Sequence, residues 1–191
     1  MPMIGTLDSN RTQVVMETLL QRIVDTESEA RIRSSLARLR PDDGFLGEEG
    51  GADVSRTGVE WVVDPIDGTV NFLYGIPAFA ISVAARIDGR SIAGAVVDGA
   101  RDVTYYASAG GGARAVDGQG DETELRCNPI ESAAMALVAT GFGYGAARRR
   151  RQGELVAELL PRVRDIRRIG SAALDLCMVA SGAVDAHYEH G

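Results

Sequence analysis

Residues 61 to 69 read Trp61-Val62-Val63-Asp64-Pro65-Ile66-Asp67-Gly68-Thr69. The first three residues are aromatic or β-branched, which is typical of a buried β-strand. Pro65 lacks a backbone N–H, so we expect the strand to end there and the chain to turn. An ordinary acidic turn would use the same residue types. Two carboxylates, three residues apart at the end of a buried strand, favour a binding site instead.

A second acidic segment lies upstream and reads Phe45-Leu46-Gly47-Glu48-Glu49-Gly50-Gly51. The chain between the two segments is long enough for a hairpin or loop to bring Glu48 beside the two aspartates. Carboxylates about 4 Å apart would repel by about 4 kcal/mol at an effective dielectric near 20, so cations are expected among them. The other donors on offer, the Ile66 carbonyl and the Thr69 hydroxyl, are also hard oxygens. This donor set favours Mg²⁺ or Mn²⁺ over zinc.

Five stretches together carry a family pattern: Gly47-Glu48-Glu49, Asp64-Pro65-Ile66-Asp67-Gly68-Thr69-Val70-Asn71-Phe72, Tyr74-Gly75-Ile76-Pro77, Arg168-Ile169-Gly170-Ser171-Ala172-Ala173 and Asp185-Ala186-His187-Tyr188-Glu189-His190-Gly191. They resemble the inositol monophosphatase family of Mg²⁺-dependent, lithium-sensitive phosphatases. The resemblance covers roughly residues 25 to 191. With Gly141-Phe142-Gly143-Tyr144 included, the sequence is most similar to the actinobacterial inositol-1-monophosphatase branch.

The resemblance implies a layered α/β (α+β) fold, the αβαβα sandwich of the inositol monophosphatase and fructose bisphosphatase superfamily, with an incomplete C-terminal part. We expect an N-terminal α+β domain with the metal site at residues 1–128 and a partial C-terminal α/β substrate domain at 129–191. The family has a longer N-terminus and continues past Gly191 with an aspartate that completes the second metal site. A chain truncated at both ends in this way is expected to be at best a weak phosphatase.

Apolar periodicity predicts a helix over residues 10–23 and a second that starts at the Thr26–Glu29 capping box and ends at Pro41. Short apolar runs separated by glycines predict a meandering sheet with both helices packed on it. The predicted strands are at 61–63, 79–85, 92–97, 103–107, 113–116, 125–127 and 135–138. The remaining predicted elements are helices at 152–163 and 172–180 and a strand at 183–189.

The resemblance also implies a role for individual residues in direct phosphoryl transfer to water. The metal ligands, for two or three Mg²⁺ ions, would be Glu48, Asp64, the Ile66 carbonyl and Asp67. Asp25 and Thr69 would be the catalytic residues that orient and deprotonate the attacking water. The substrate contacts would be Asp67, Gly68, Thr69, Gly170, Ser171, Ala172 and Glu189. From the letters alone, Ser171 fits equally well as the N-cap of a helix that begins at Ala172.

The implied activity is hydrolysis of inositol 1-phosphate to inositol and phosphate. Phosphatases of histidinol phosphate, fructose 1,6-bisphosphate and 3′-phosphoadenosine phosphate share the metal motifs, so these readings remain open. A catalytically impaired homologue that acts as a binding protein is the alternative from outside enzymology, since some bacterial relatives associate with the transcription machinery. The resemblance further implies a homodimer for the full-length form.

Composition limits the partners. The net charge of −7 over 191 residues disfavours binding to nucleic acid as the main function. The chain has neither an apolar run of membrane-spanning length nor an N-terminal signal pattern, which predicts a cytoplasmic protein without a membrane partner.

Three further features of the sequence are expected to have no part in catalysis or metal binding. Cys127 and Cys177 lack a CxxC context and are expected to be reduced filler residues. The arginine run 148–151 is expected to face solvent. His187 and His190 lie three positions apart on a predicted strand, so they should face opposite sides and not share a metal ion.

Overall fold

The structure is a computed structural model and describes residues 26–48 and 51–190. The helix expected at 10–23 and the candidate base Asp25 lie outside these ranges. Within them, helix α1 occupies residues 26–39 and stops before Pro41, as the sequence predicts. The start of α1, and with it the expected capping box, adjoins residues that the structure does not describe.

One large mixed sheet contains eight strands in the order β2-β1-β3-β4-β5-β6-β7-β8. The strands are β1 (Gly44–Leu46), β2 (Ala52–Asp53), β3 (Val59–Asp67), β4 (Ala80–Ile87), β5 (Arg90–Asp98), β6 (Val103–Ser108), β7 (Gly112–Asp117) and β8 (Glu122–Glu124). From β3 onward each strand pairs antiparallel with the next, which confirms the expected meander. β1 pairs with β3 in parallel, with Leu46 opposite Val62.

Strand β3 corrects one sequence prediction. It continues through Pro65, which is fully buried, to Asp67. The pairing of β3 with β4 skips from Asp64 to Asp67, and the pairing with β1 ends at Val62. Pro65 therefore lies where neither neighbour requires a backbone N–H, and the irregularity absorbs the missing donor. The prediction that the strand stops at Pro65 was wrong.

A smaller sheet holds β9 (Leu137–Thr140) at its centre, with β10 (Asp165–Arg167) and β11 (Ala186–Tyr188) parallel to it on either side. Short helix α2 (Thr69–Leu73) follows β3, α3 (Ala146–Leu159) joins β9 to β10, and α4 (Ala172–Ala180) joins β10 to β11. The alternating α/β pattern and the helix at 172–180 are confirmed. The predicted strand at 125–127 was wrong, because pairing with β7 ends at Glu124. Helix α3 begins six residues earlier than the predicted start at 152.

Helix α4 packs between the two sheets, against β4 and β5 on one side and β9 and β11 on the other. Its buried residues include Leu174 and Cys177, so Cys177 is the filler that the sequence predicts. Cys127 is exposed. Across the described ranges, no helix is long and apolar enough to cross a membrane. The layered α/β architecture places the ends of β3, β9 and β11 and the start of α4 near one another.

Candidate active site

The end of β3 turns sharply into α2. The Asp64 Oδ1 atom accepts a hydrogen bond of 3.1 Å from the Ile66 N–H, and the Thr69 hydroxyl donates one of 2.9 Å to the Ile66 carbonyl. Gly68 sits between them with φ 86°, in the left-handed region. A Cβ atom there would approach the Ala78 carbonyl oxygen to 2.8 Å. Only glycine satisfies both the backbone angle and the available space.

Asp67 joins β3 to the start of α4. Its Oδ2 atom accepts hydrogen bonds of 2.6 Å from the Ser171 hydroxyl and 2.7 Å from the Ala173 N–H. The Ser171 hydroxyl oxygen also accepts a hydrogen bond from the Leu174 N–H, so Ser171 is the N-cap of α4, in agreement with the local sequence. A carboxylate is favoured at a helix start by the partial positive charge of the free N–H groups. Asp67 thus brings two distant motifs into one site.

Asn71, in α2, connects this helix to the turn before α4 through its side-chain amide. Its buried amide nitrogen donates to the Ala78 carbonyl at 2.8 Å and to the Ile169 carbonyl at 2.9 Å. Gly170 follows with φ 103°, and a Cβ atom at that position would lie 2.5 Å from the Asn71 amide nitrogen. The turn at 169–171 is therefore held against α2 at close range.

These segments surround a cleft of about 690 Å³. The predicted site residues in its wall are Asp67, Gly68, Gly170, Ser171, Ala172 and Glu189. The further lining residues include Asn71, Phe142, Tyr144, Arg149, Arg168 and Asp175. Asp64, Ile66 and Thr69 adjoin the cleft along the chain but do not line it. Arg149 is the one member of the 148–151 run in the wall, and all four arginines are exposed, as expected.

Gln152 of α3 supports the part of the cleft wall formed by residues 141–143 and Glu189, here called the far wall. The Gln152 side chain is 2% exposed; its carbonyl oxygen accepts from the Gly143 N–H at 2.9 Å and its amide donates to the His190 carbonyl at 2.8 Å. Glu189 lies beside this bridge, and a Cβ atom on Gly141 would come within 2.5 Å of its carboxylate. Gln152 therefore holds together the two loops that present Glu189 to the cleft.

Asp175 is the carboxylate most withdrawn from water in the cleft wall, with a side chain 1% exposed. Burial raises its pKa from 3.8 to about 6; His187 and Arg168 oppose this effect, and the Asp67 and Glu189 carboxylates add to it. His187 Nδ1 lies 3.6 Å from Asp175 Oδ2. A perturbed carboxyl group in a cleft is typical of functional sites.

Glu48 leaves the large sheet at the same edge as Asp64, because β1 and β3 are parallel neighbours. It is exposed, and it adjoins residues 49 and 50, which the structure does not describe. Gly47, the residue before Glu48, packs against the buried side chain of Glu29. A Cβ atom on Gly47 would lie 2.4 Å from the Glu29 carboxylate carbon. Among residues 26–48 and 51–190, no three His, Cys, Asp or Glu side chains gather closely enough to hold a metal ion.

The donors at the end of β3 nevertheless fit a hard cation in their chemistry. Asp64 and Asp67 offer carboxylate oxygens and Ile66 offers a carbonyl, with no competing sulfur or imidazole ligand at this turn. The Oδ1 atom of Asp67 makes no hydrogen bond within the described part of the chain. The metal assignments, including that of Glu48, remain predictions, as does the catalytic role of Asp25.

Sequence reasoning assigned no site role to four residues that line the cleft or contact its lining: Asn71, Gln152, Asp175 and His187. A polar residue in an otherwise apolar helix was the available signal for Asp175, since α4 reads Ala-Ala-Leu-Asp-Leu-Cys-Met-Val-Ala. The bridge made by Gln152 depends on the placement of two loops and has no comparable local signal.

Comparison with known proteins identifies a family. The model of the inositol monophosphatase family matches residues 8–191. An inositol-1-monophosphatase from Mycobacterium bovis is 55% identical over 174 residues, which is 88% of this chain and 60% of that protein.

Two solved structures extend the comparison. Mycobacterium tuberculosis SuhB superimposes with a TM-score of 0.83 at 53% identity, over 90% of this chain and 66% of that one. SaIMPase-II bound to inositol monophosphate gives a TM-score of 0.73 at 35% identity, over 93% and 66%. This chain thus spans about 60% of the M. bovis relative's length.

Proposed function

The chain belongs to the inositol monophosphatase family, and on that premise we propose that it acts in the Mg²⁺-dependent hydrolysis of a small polyol phosphate, with inositol 1-phosphate as the substrate. One observation carries the proposal. Asp67, at the end of β3, is hydrogen-bonded to the start of α4 more than 100 residues later. The turn after β3, to which we assign the metal ions, and the turn at 169–171, to which we assign the polyol, therefore border one cleft. The name of the M. bovis relative and the ligand of SaIMPase-II support the choice of substrate.

The turn after β3 would receive the phosphate end of the substrate. Asp64, the Ile66 carbonyl, Asp67 and Glu48 would hold the Mg²⁺ ions. Bound Mg²⁺ supplies positive charge that stabilises the transferring phosphoryl group and its leaving oxygen and makes water a better nucleophile. The N–H groups of Gly68 and Thr69 would donate to phosphate oxygens.

Water attack would depend on Thr69. Its hydroxyl is already oriented by donating to the Ile66 carbonyl. Its oxygen would accept a hydrogen bond from the attacking water and so orient it, and the Asp25 carboxylate would accept the water proton, a transfer that a positioned side chain can accelerate by about 10²–10⁴-fold. Direct transfer to water needs no nucleophilic cysteine or histidine.

The polyol end of the substrate would lie against α4 and the far wall. Gly170, Ser171 and Ala172 would present backbone and hydroxyl groups, while Asp67 and Glu189 would accept hydrogen bonds from substrate hydroxyls. Buried polar contacts of this kind discriminate strongly against substrates that lack the matching hydroxyl. A homodimer and a cytoplasmic location complete the proposal.

The test is phosphate release from inositol 1-phosphate in Mg²⁺, in excess EDTA and in Li⁺. We expect Mg²⁺-dependent turnover that Li⁺ inhibits. Equal turnover in EDTA would contradict the proposal. Faster turnover of histidinol phosphate, fructose 1,6-bisphosphate or 3′-phosphoadenosine phosphate would keep the mechanism and change the substrate. Specific binding of inositol 1-phosphate without turnover would favour a binding protein.

A further inference from the structure

Three side chains form a row that leads from the interior to the cleft. His187 lies in the middle, with Nδ1 3.6 Å from Asp175 Oδ2 and Nε2 3.8 Å from Glu189 Oε2. The exposed fraction of the side chains rises along the row from 1% for Asp175 through 12% for His187 to 36% for Glu189. The imidazole therefore stands between a buried carboxylate and a carboxylate of the cleft wall.

Two atoms of this row are buried without a hydrogen-bond partner, Asp175 Oδ1 and His187 Nδ1, and within the described ranges they are the only such side-chain atoms. An unsatisfied buried polar group costs about 1–3 kcal/mol and calls for a physical explanation. The two distances, 3.6 and 3.8 Å, exceed hydrogen-bond length. A shift of less than about 1 Å would bring both pairs of atoms to hydrogen-bond length.

The positions of the protons on Asp175 and His187 determine how His187 acts on Glu189. With one proton on either the Asp175 carboxyl or His187 Nδ1, the other ring proton lies on Nε2, the nitrogen that faces Glu189. A ring whose only proton lies on Nδ1 would lose this donor. The bare Nε2 would then face the Glu189 carboxylate and repel it.

We propose that His187 is a positioning residue, which uses Asp175 as its anchor and holds the Glu189 carboxylate in the orientation that receives a hydroxyl of the ligand. The inference rests on the proposed contact between Glu189 and the polyol. It goes further by making the orientation of that contact depend on a proton inside the fold.

The charges around the row support a proton on Asp175. Burial raises the pKa of this carboxyl to about 6; the charges of His187 and Arg168 lower the pKa, and those of Asp67 and Glu189 raise it. Asp175 therefore keeps its proton, or a share of it, at a pH where an exposed aspartate has lost it. Both ring nitrogens of His187 face carboxylates, so a neutral ring can satisfy only one of them.

Nitrogen chemical shifts of the imidazoles test the row without any substrate. The chain has two histidines, so a His190→Gln variant assigns both sets of signals in the ¹⁵N-labelled protein. We expect Glu189→Gln to shift the Nε2 signal of His187 and Asp175→Asn to shift its Nδ1 signal. Glu158→Gln, a matched change on the exposed face of α3, should shift neither. His187 signals that stay unchanged in Glu189→Gln would overturn the proposal, whether or not the protein is a phosphatase.

Kinetics with inositol 1-phosphate separate positioning from mere structural support. His187→Gln should raise KM about tenfold, the equivalent of one contact worth 1.4 kcal/mol, and leave kcat within about twofold because the phosphate end is unchanged. Equal KM values in His187→Gln and His190→Gln would overturn the proposal. Absence of turnover in the unmodified protein and in both variants would instead count against the proposed function. The nitrogen chemical shifts would then decide whether His187 contacts Asp175 and Glu189.

Discussion

Asp67 receives two hydrogen bonds from groups more than 100 residues away, so it serves the structure as well as the proposed chemistry. One oxygen, Oδ2, is committed to the start of α4. The other, Oδ1, makes no hydrogen bond in the part of the chain that the structure describes, and by the proposal it would contact a metal ion or a substrate hydroxyl. Under the proposed function, a single carboxylate would therefore connect the stability of the cleft to its ligand binding.

Asp67→Asn should weaken both functions. The substitution removes the charge that both donors and a metal ion would contact, and a hydrogen bond to a charged group contributes about 1.5–3 kcal/mol. We expect loss of measurable Mg²⁺ binding by calorimetry and a lower free energy of unfolding in urea. Asp88→Asn, in an exposed turn with φ 50° that asparagine tolerates, is the matched control. Equal Mg²⁺ affinity in Asp67→Asn and the unmodified protein would show the assignment to be wrong.

Thr69 should separate binding from chemistry. Thr69→Ala removes the hydroxyl that donates to the Ile66 carbonyl and, by the proposal, orients the attacking water. We expect kcat to fall about 10²-fold with Mg²⁺ affinity within a few-fold, because loss of a water-orienting group acts on the transition state. Thr69→Ser keeps the hydroxyl and should retain most of the activity. A similar loss in both variants would exclude the hydroxyl as the cause.

At the scale of elements, α2 is a five-residue helix with a left-handed glycine on each side, Gly68 and Gly75. The two glycines differ in their surroundings. A Cβ atom at Gly68 would meet the Ala78 carbonyl oxygen at 2.8 Å, whereas one at Gly75 would have no atom within 4 Å. The pair therefore separates backbone strain from steric overlap.

Gly75→Ala should cost about 1–2 kcal/mol of stability, the usual penalty for a left-handed residue with a side chain. Gly68→Ala should cost about 1–3 kcal/mol more, because overlap with a carbonyl forces the backbone apart. We also expect only Gly68→Ala to abolish phosphate release, since its turn carries Asp67 and Thr69. Urea unfolding of both variants measures the difference. Equal losses of stability would show that the Ala78 carbonyl moves aside at little cost.

Local sequence patterns were enough to predict most of these elements, since strand β4, helix α4 and the Ser171 cap each depend on neighbouring residues. Pro65 was misjudged because its missing donor matters only if a neighbouring strand needs it. Here pairing to β1 has ended and pairing to β4 is interrupted. The parallel pairing of β1 with β3 was likewise hidden, since the chain between them was compatible with a hairpin.

Across the whole molecule, the cleft depends on α4 lying between two sheets. Family motifs identified Asp67 and Glu189, but the bridge through Gln152 and the burial of Asp175 arise only when β9, β11 and α3 are brought together. Such contacts have no local sequence signal, because each joins residues that are far apart in the chain. The burial of Asp175 has a global consequence, since its charge state enters the stability of the fold.

Asp175 should make that stability depend on pH. Burial raises its folded-state pKa to about 6 from a reference value of 3.8. The folded protein therefore keeps a proton between about pH 4 and 6 that the unfolded chain has released, and stability falls as pH rises through this window. With 1.36 kcal/mol per pKa unit, the loss is about 1–3 kcal/mol.

Asp175→Asn removes this titration and retains the shape of the side chain. The free energy of unfolding of the variant, minus that of the unmodified protein, should therefore increase by about 1–3 kcal/mol between pH 4 and pH 7. Urea unfolding at the two pH values measures it, and Asp88→Asn should show no such increase because its carboxyl lies in an exposed turn. A difference that stays constant with pH would mean that the unfolded and folded chains titrate Asp175 alike. The carboxyl would then be hydrated in the folded protein, and the buried anchor assigned to His187 would be lost with it.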